Sequence, residues 1–281
     1  MHGNEQQKKQ YLPALAAGAA IGSWCLTEPG SGSDASGMKT TAVRDGDSYV
    51  ISGNKTFITN GSHASTYVVM AKTDTTKGTN GISAFIVERS LKGVSVGKKE
   101  NKLGMRASDT VTMMFDEVKV PKETLIGNEG EGFTQALVVL DSGRIGIAAL
   151  SVGLAQGALD AAVIYSKERQ AFGKTISEFQ GIQFKLADMA TEIQGARLLT
   201  YRAAMAKQNG ENINLIAAQA KLFASEVAVR AANEAVQIHG GYGFIKDFPV
   251  EKFYRDAKLL TIGEGTSEVQ KMVIAKNLLA V

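Results

Sequence analysis

Hydrophobic and polar positions change their period once along this chain. Between about Gly22 and Pro121 the apolar residues form short β-rich runs, which turn sequences such as Asn60-Gly61 separate. The runs are Tyr49–Ile51, Thr56–Ile58, Tyr67–Met70, Ile82–Val87 and Thr110–Val120. Short strands at this spacing, without helices between them, are typical of an antiparallel β-barrel or sandwich, which we predict for residues 22–124.

From about Gly132 onward the apolar residues recur at helical spacing. Long helices are predicted over Ile145–Lys167, Ile182–Leu199 and Ile213–Ile238, and a further helix is predicted after Glu264. Short connections between long helices indicate antiparallel neighbours, so residues 125–281 are expected to form a C-terminal antiparallel four-helix bundle. Strands followed by helices, rather than alternating with them, predict an α+β fold.

The composition narrows the range of partners. The 31 basic and 28 acidic residues leave a net charge of +3, which is too small to indicate nucleic-acid binding. No apolar run approaches the roughly 18 residues of a membrane span, so stable membrane insertion is not expected. Cys25 is the only cysteine, which excludes an intrachain disulfide. His239 has no companion at ligand spacing, so no metal site is predicted.

A carboxylate between two glycines is the first candidate for chemistry. Glu264 lies between Gly263 and Gly265, and Thr266 or Ser267 is placed to cap the helix that follows. Burial at such a turn raises the pKa of a carboxyl group, and a raised pKa suits a general base that works near neutral pH. The same stretch is also typical of a solvated loop acid before a helix, and the residues alone leave both interpretations open.

Two further segments in the β-rich region carry polar groups. Thr27–Asp34 is rich in glycine and hydroxyls, and such a loop presents backbone N–H groups to a phosphate. Phe57 and Thr59 alternate onto one face of a strand, where they are suited to contact a planar cofactor. An ordinary flexible loop and a core aromatic beside a strand threonine are the alternatives.

Two segments in the helical region are comparable. Asp141 and Arg144 are three residues apart near a helix start, so they can share a face of the helix. They are candidates for a substrate-binding pair, and an ordinary surface pair is the alternative. Gln237–Gly243 ends a helix at a glycine cluster, which a helix C-cap explains without any function.

Taken in order, these segments resemble the acyl-CoA dehydrogenase family. The resemblance runs from Gly3 to Leu279, and it also includes the segment Arg169–Gly173. It implies FAD as cofactor, a fatty acyl-CoA thioester as substrate and α,β-dehydrogenation to the trans-2-enoyl-CoA. It further implies electron transfer to an electron-transfer flavoprotein. An acyl-CoA oxidase, a flavin monooxygenase or a non-catalytic remnant of the same fold are the alternatives.

The resemblance also assigns roles to individual residues. Glu264 is the implied base for the α-proton. The implied FAD contacts are Trp24, Leu26, Thr27, Ser33, Phe57, Thr59, Arg169, Phe172, Gln180, Gln237, Gly241, Thr266 and Glu268. The implied substrate contacts are Ser33, Asp141, Arg144 and Gly265. Family members that carry the base elsewhere have it just before the arginine that matches Arg144, and here that position is Gly143.

Four expectations follow for the whole protein. Contacts from Arg169 and its neighbours to the FAD of another subunit imply a homotetramer or homodimer. Residues 1–21 correspond to the last part of the family's N-terminal helical domain, most of which is expected to be absent. Since residues 1–10 are polar and charged, no secretory signal is predicted. The expected location is the cytoplasm of a bacterium or the mitochondrial matrix of a eukaryote.

Overall fold

The computed structural model describes residues 1–279, and these residues divide into two compact units. The first, which we call the sheet unit, comprises Met1–Lys102 and Arg106–Val138. The second, the helical unit, comprises Leu103–Met105 and the chain from Val139 onward.

The sheet unit holds one helix and eight strands. Helix α1 is Glu5–Ala16; the strands are β1 Gly22–Cys25, β2 Thr41–Asp45, β3 Ser48–Thr59, β4 Thr66–Lys72, β5 Ile82–Glu88, β6 Val94–Lys99, β7 Thr110–Pro121 and β8 Leu125–Ile126. The strand order is β6-β7-β3-β2-β4-β5-β8, and β1 pairs with β4. Tyr67, Phe85 and Met113 are fully buried in the core on this sheet, because apolar residues alternate onto its inner face.

The β-rich region is confirmed, but two details of the prediction are wrong. The sheet is not wholly antiparallel, because β1 runs parallel to β4 with Cys25 opposite Val69. Strand β2 also pairs with β4 in parallel, with Thr41 opposite Lys72. The sheet also does not close into a barrel in the described residues, since β6 and β8 stand at opposite ends of the strand order.

Two predicted runs prove to be one strand. Tyr49–Ile51 and Thr56–Ile58 both belong to β3, which pairs with β7 with a register shift between Ile51 and Gly53. Gly53 has φ +152°, and a Cβ atom there would lie 2.4 Å from the Thr40 hydroxyl oxygen. The glycine therefore marks an irregularity within a strand rather than the end of one.

The helical region contains one more helix than was predicted. The helices are α2 Gly132–Glu168, which begins in the sheet unit, α3 Gln180–Gln208, α4 Asn214–His239, α5 Val250–Leu260 and α6 Ser267–Leu279. A short hairpin, β9 Gln170–Ala171 and β10 Lys174–Thr175, connects α2 to α3. The four predicted helices are present, but α5 corrects the four-helix count. Its buried apolar residues Val250, Ala257 and Leu260 have helical spacing.

Small side chains dominate the core of the helical unit. Ala155, Ala158, Ala220 and Ala228 are all fully buried, and they allow the helices to approach closely. Among the described helices, α2 alone has the length and apolar composition of a membrane span. That is weak support for a span, because core helices of soluble proteins have the same composition.

Candidate functional site

Glu264 lies in a strained turn between α5 and α6. Its φ is +55°, and Gly265 follows with φ +87°. Two consecutive left-handed residues are unusual, and the non-glycine one costs about 1–3 kcal/mol, which is typical of functional sites. A Cβ atom on Gly265 would lie 2.7 Å from the Gln270 side-chain nitrogen, so this position has no room for a side chain. The backbone N–H of Val269 donates to the Thr266 hydroxyl at 3.3 Å, which confirms the predicted cap.

Two buried side chains hold this turn. The Nε2 of Gln270 donates to the carbonyl oxygens of Glu264 at 3.2 Å and Gly265 at 2.9 Å. The Nζ of Lys221, on α4, donates to the same Gly265 carbonyl at 2.7 Å. Lys221 and Gln270 are both fully buried. The turn is thus fixed by one side chain from α4 and one from α6.

The carboxylate of Glu264 is directed at the backbone of α2. A Cβ atom on Gly143 would lie only 2.6 Å from Glu264 Oε2, so the glycine leaves the space that the carboxylate fills. A side chain at position 143 would therefore require the carboxylate of Glu264 to move.

Next to Gly143, a network of polar side chains joins three helices. Arg144 is buried, and its Nη1 donates to Asp141 Oδ1 at 2.5 Å. Asp141 also accepts from Asn214 Nδ2 at 3.1 Å, and Asn277 Nδ2 donates to Asn214 Oδ1 at 2.7 Å. The buried Nε of Arg144 has no hydrogen-bond partner in the described residues. Asp141 and Arg144 therefore form an ion pair within the helical unit, and the Nε of Arg144 is a buried donor without a partner in the described residues.

Burial and charge act in opposite directions on the carboxyl group of Glu264. Burial raises its pKa above the usual range, and the positive charges of Arg144 and Lys221 offset part of that effect. Burial also lowers the pKa of Lys221 to about 8, and the negative charge of Glu264 offsets part of that lowering. A half-buried carboxylate with raised proton affinity is suited to accept a proton near neutral pH.

In the sheet unit, the predicted residues at the ends of β1 and β3 lie close together. Thr56 N–H donates to the Thr27 carbonyl at 2.8 Å, and the Ser23 hydroxyl donates to the Thr59 carbonyl at 2.7 Å. Phe57 has φ +57°, and 64% of its surface is exposed. It is therefore not the core aromatic of the alternative interpretation. Trp24 and Leu26 are partly buried against a small core cluster.

A buried ion pair anchors the glycine-rich loop that follows β1. Lys55 is fully buried, and its Nζ donates to Glu28 Oε1 at 2.8 Å and to the Leu26 carbonyl at 3.1 Å. Glu28 also accepts from the backbone N–H groups of Lys39 and Thr40. Burial alone raises the pKa of Glu28, but these hydrogen bonds bring it below its usual value. Ser33 is exposed further along this loop.

In the helical unit, Arg169 and Gly241 line a cavity of about 500 Å³. The guanidinium of Arg169 lies 5.4 Å from the centre of the Tyr242 ring. Tyr165 stacks on His239 with ring centres 4.2 Å apart, which forms an aromatic wall. Gln237 and Gln180 are exposed, and Phe172 is 96% exposed at the tip of the β9–β10 hairpin with φ +52°.

The structure thus gathers Asp141, Arg144, Glu264 and Gly265 in one place, with Thr266 and Glu268 at the start of α6. It brings Arg169 and Gly241 together elsewhere in the helical unit. Sequence reasoning missed Lys221 and Gln270. Lys221 carried a signal, because it occupies a core position of α4, four residues after Ala217 and three before Ala224. A charged residue in such a stripe is a candidate for a buried role.

Two family models match this chain. The model described as "Acyl-CoA dehydrogenase, middle domain" matches residues 23–118, and "Acyl-CoA dehydrogenase, C-terminal domain" matches residues 130–279. Together they span both the sheet and most of the helices.

Individual proteins agree with these matches. The short-chain specific acyl-CoA dehydrogenase of Clostridium acetobutylicum is 53% identical over 274 residues, covering 98% of this chain and 72% of that protein. Subunit CarC of the caffeyl-CoA reductase-Etf complex of Acetobacterium woodii is 50% identical, covering 99% of this chain and 74% of that protein. The structure of butyryl-CoA dehydrogenase from Megasphaera elsdenii has a TM-score of 0.98 at 49% identity, covering 99% of this chain and 73% of that one.

Proposed function

This chain belongs to the acyl-CoA dehydrogenase family and is an oxidoreductase of that type, and we propose that it dehydrogenates a fatty acyl-CoA to the trans-2-enoyl-CoA with FAD as cofactor. The observation that carries the proposal is Glu264 in its left-handed turn, with the carboxylate against Gly143 and a raised pKa. The names of the Clostridium and Megasphaera relatives support a short acyl chain as substrate.

The residues implied to bind FAD fit such a ligand. Phe57 and Phe172 are exposed aromatic side chains, and the backbone of each is in the left-handed region. Backbone strain together with exposed apolar surface is what a site for a planar ligand would show. Gly30 and Gly32 have no atoms within 4 Å of an added Cβ, so a phosphate can approach the loop backbone. The residues we propose to contact FAD are Trp24, Leu26, Thr27, Ser33, Phe57, Thr59, Gln180, Thr266 and Glu268. Four others, Arg169, Phe172, Gln237 and Gly241, are proposed to contact the FAD of another subunit.

In the proposed mechanism, the carboxylate of Glu264 takes the α-proton of the thioester. An α-proton next to a thioester is weakly acidic, so the carbonyl oxygen needs a hydrogen-bond donor as negative charge develops on it. The backbone N–H of Glu264 donates no hydrogen bond in the described residues, which supports its role as that donor. When bound, FAD supplies the acceptor for the β-hydrogen, taken up as hydride at N5. Arg144 and Asp141 are proposed to bind the CoA portion.

The test of this function is flavin reduction by acyl-CoA in the absence of oxygen. The chain with bound FAD is mixed with butyryl-CoA, with a medium-chain and with a long-chain saturated acyl-CoA, and bleaching of the flavin absorbance is recorded. We expect bleaching, fastest with the shortest substrate. A colourless protein that does not take up FAD, or a flavin that no acyl-CoA reduces, contradicts the proposal. Rapid peroxide formation in air instead identifies an oxidase.

We further propose an electron-transfer flavoprotein as the acceptor of the electrons. The support is the similarity to a subunit of a complex named for Etf. An Etf-dependent loss of substrate in the presence of a terminal dye is the expected result, and reoxidation by oxygen alone at the same rate contradicts it.

The chain is expected to form a homodimer or homotetramer. On α3, Leu198, Tyr201 and Met205 recur at helical spacing and are each more than half exposed, which leaves an apolar stripe for a partner to cover. Light scattering at micromolar concentration with FAD bound measures the assembly. A protein that is fully loaded with FAD and entirely monomeric contradicts this prediction.

Replacing Arg144 by alanine is expected to weaken substrate binding while FAD remains bound. Loss of a charge-assisted hydrogen bond at the lower end of the usual range costs about 1.5 kcal/mol, or roughly tenfold in affinity. The lower end applies because Arg144 shares its charge with Asp141. Acyl-CoA titration followed through the flavin spectrum measures the change, and Arg230→Ala, at a surface ion pair, is the control. Loss of FAD with unchanged substrate affinity contradicts the assignment.

A further inference from the structure

A lysine is fully buried beside the turn that carries Glu264. Lys221 lies among alanines of α4, and burying an ammonium group is costly unless hydrogen bonds or opposite charges compensate it. In the described residues it has one hydrogen bond, to the carbonyl of Gly265, and no carboxylate oxygen lies within 4.0 Å of its Nζ. A buried charge in this position is hard to explain by stability alone.

Four charged groups act electrostatically on Lys221. They are Glu264 in the α5–α6 turn, Arg144 on α2, Glu268 on α6 and Glu226 on α4 itself. Glu226 is already engaged, because it accepts a hydrogen bond from the Ser267 hydroxyl at 2.6 Å. Two cations, Lys221 and Arg144, therefore act on the carboxylate of Glu264, and both favour its ionised form.

We propose that Lys221 is a positioning residue for Glu264: it holds the Gly265 carbonyl, fixes the left-handed turn, and keeps a positive charge next to the carboxylate. The hydrogen bond restrains a backbone that a non-glycine residue adopts only under constraint. The charge counters burial, so that the carboxylate stays ionised and able to accept a proton at neutral pH. The consequence for catalysis rests on the proposed function. The effect of Lys221 on the ionisation of Glu264 does not depend on it.

The experiment measures the protonation of Glu264 directly. Isotope-edited infrared titration of the chain labelled at glutamate carboxyl carbons follows the carboxyl band, and the Glu264 contribution is identified by subtracting the spectrum of Glu264→Gln. Lys221→Met removes the charge and the donor but keeps the length of the side chain. We expect the titration midpoint of Glu264 to rise by about one pH unit, because a positive charge that favours the ionised carboxylate has been removed.

Two further variants make the result specific. Lys221→Gln keeps a hydrogen-bond donor for the Gly265 carbonyl but carries no charge, and we expect the same upward shift from it. Lys185→Met makes the same change as Lys221→Met at a partly exposed ion pair with Glu234, and it is expected to leave the midpoint unchanged. A midpoint that stays at the parent value in Lys221→Gln and Lys221→Met overturns the proposal, and so does an equal shift in Lys185→Met.

The pH profile of flavin reduction provides the second measurement. With Lys221→Gln the rising limb of the profile is expected to move to higher pH by the same amount as the infrared midpoint, because the base stays protonated longer. A lower rate at every pH with an unmoved limb indicates a merely structural role and overturns the proposal. If Glu264→Gln reduces its flavin as fast as the parent, the proposed function fails, and the infrared titration still tests Lys221.

Discussion

Glu264→Gln is expected to abolish flavin reduction by a saturated acyl-CoA while FAD and substrate remain bound. Glutamine preserves the size and shape of the side chain next to Gly143 but cannot accept a proton. Loss of a general base lowers the rate by about a hundred- to ten-thousandfold. Anaerobic stopped-flow measurement of flavin bleaching gives the rate, and substrate binding is read from the flavin spectrum before reduction.

The control for this prediction is a glutamate on α4 that is bonded to the start of α6 and is not proposed to act as a base. Glu226→Gln changes an acid that accepts a hydrogen bond from Ser267 and acts electrostatically on Lys221. It is expected to reduce its flavin at a rate much closer to that of the parent. If Glu264→Gln itself stays within a few-fold of the parent rate, Glu264 is not the base and the proposed mechanism is wrong.

Gly143→Ala is expected to displace the carboxylate without unfolding the protein. The added Cβ would lie 2.6 Å from Glu264 Oε2, so the flexible carboxylate has to move away from α2. A displacement of about 1 Å at a reacting group lowers the rate by roughly a hundredfold. Alanine is also a better helix former than glycine by about 0.5–1 kcal/mol, so the free energy of unfolding should not fall.

Gly146, on the same helix, supplies the matched control. A Cβ atom there would have no atom within 4 Å, so Gly146→Ala makes the same backbone change in open space. We expect Gly146→Ala to retain the parent rate of flavin reduction, and both variants to keep the parent melting temperature or exceed it. Equal rates in the two variants would show that the carboxylate does not need the space beside Gly143.

Element types were predictable because periodicity reports which face of a segment is buried. The long helices and the end of the strand region follow directly from that pattern. The extent of β3 was not predictable, because Gly53 interrupts the apolar alternation without interrupting the strand. Helix α5 was missed because it has only 11 residues and few buried apolar ones. Val250, Ala257 and Leu260 are separated by charged residues such as Lys252 and Arg255.

The candidate site was predictable only for residues whose motif is continuous in the chain. Glu264 between two glycines stands out locally, and so does the pair of Asp141 and Arg144. Lys221 lies 44 residues before Gly265, so their hydrogen bond is a product of tertiary packing. The burial of Arg144 was equally unpredictable, because the same two residues on an exposed helix face form an ordinary surface pair.

The buried pair of Lys55 and Glu28 restricts how this sequence can change over evolutionary time. Replacing either residue alone leaves the other as an isolated charge in a dry interior, whereas replacing both by apolar residues of similar volume is often tolerated. A replacement at only one of the two positions is therefore expected to be strongly destabilising. The two residues are coupled in this way although they are 27 residues apart in the chain. A change at an exposed position of the glycine-rich loop, such as Pro29, leaves both charges of the pair in place.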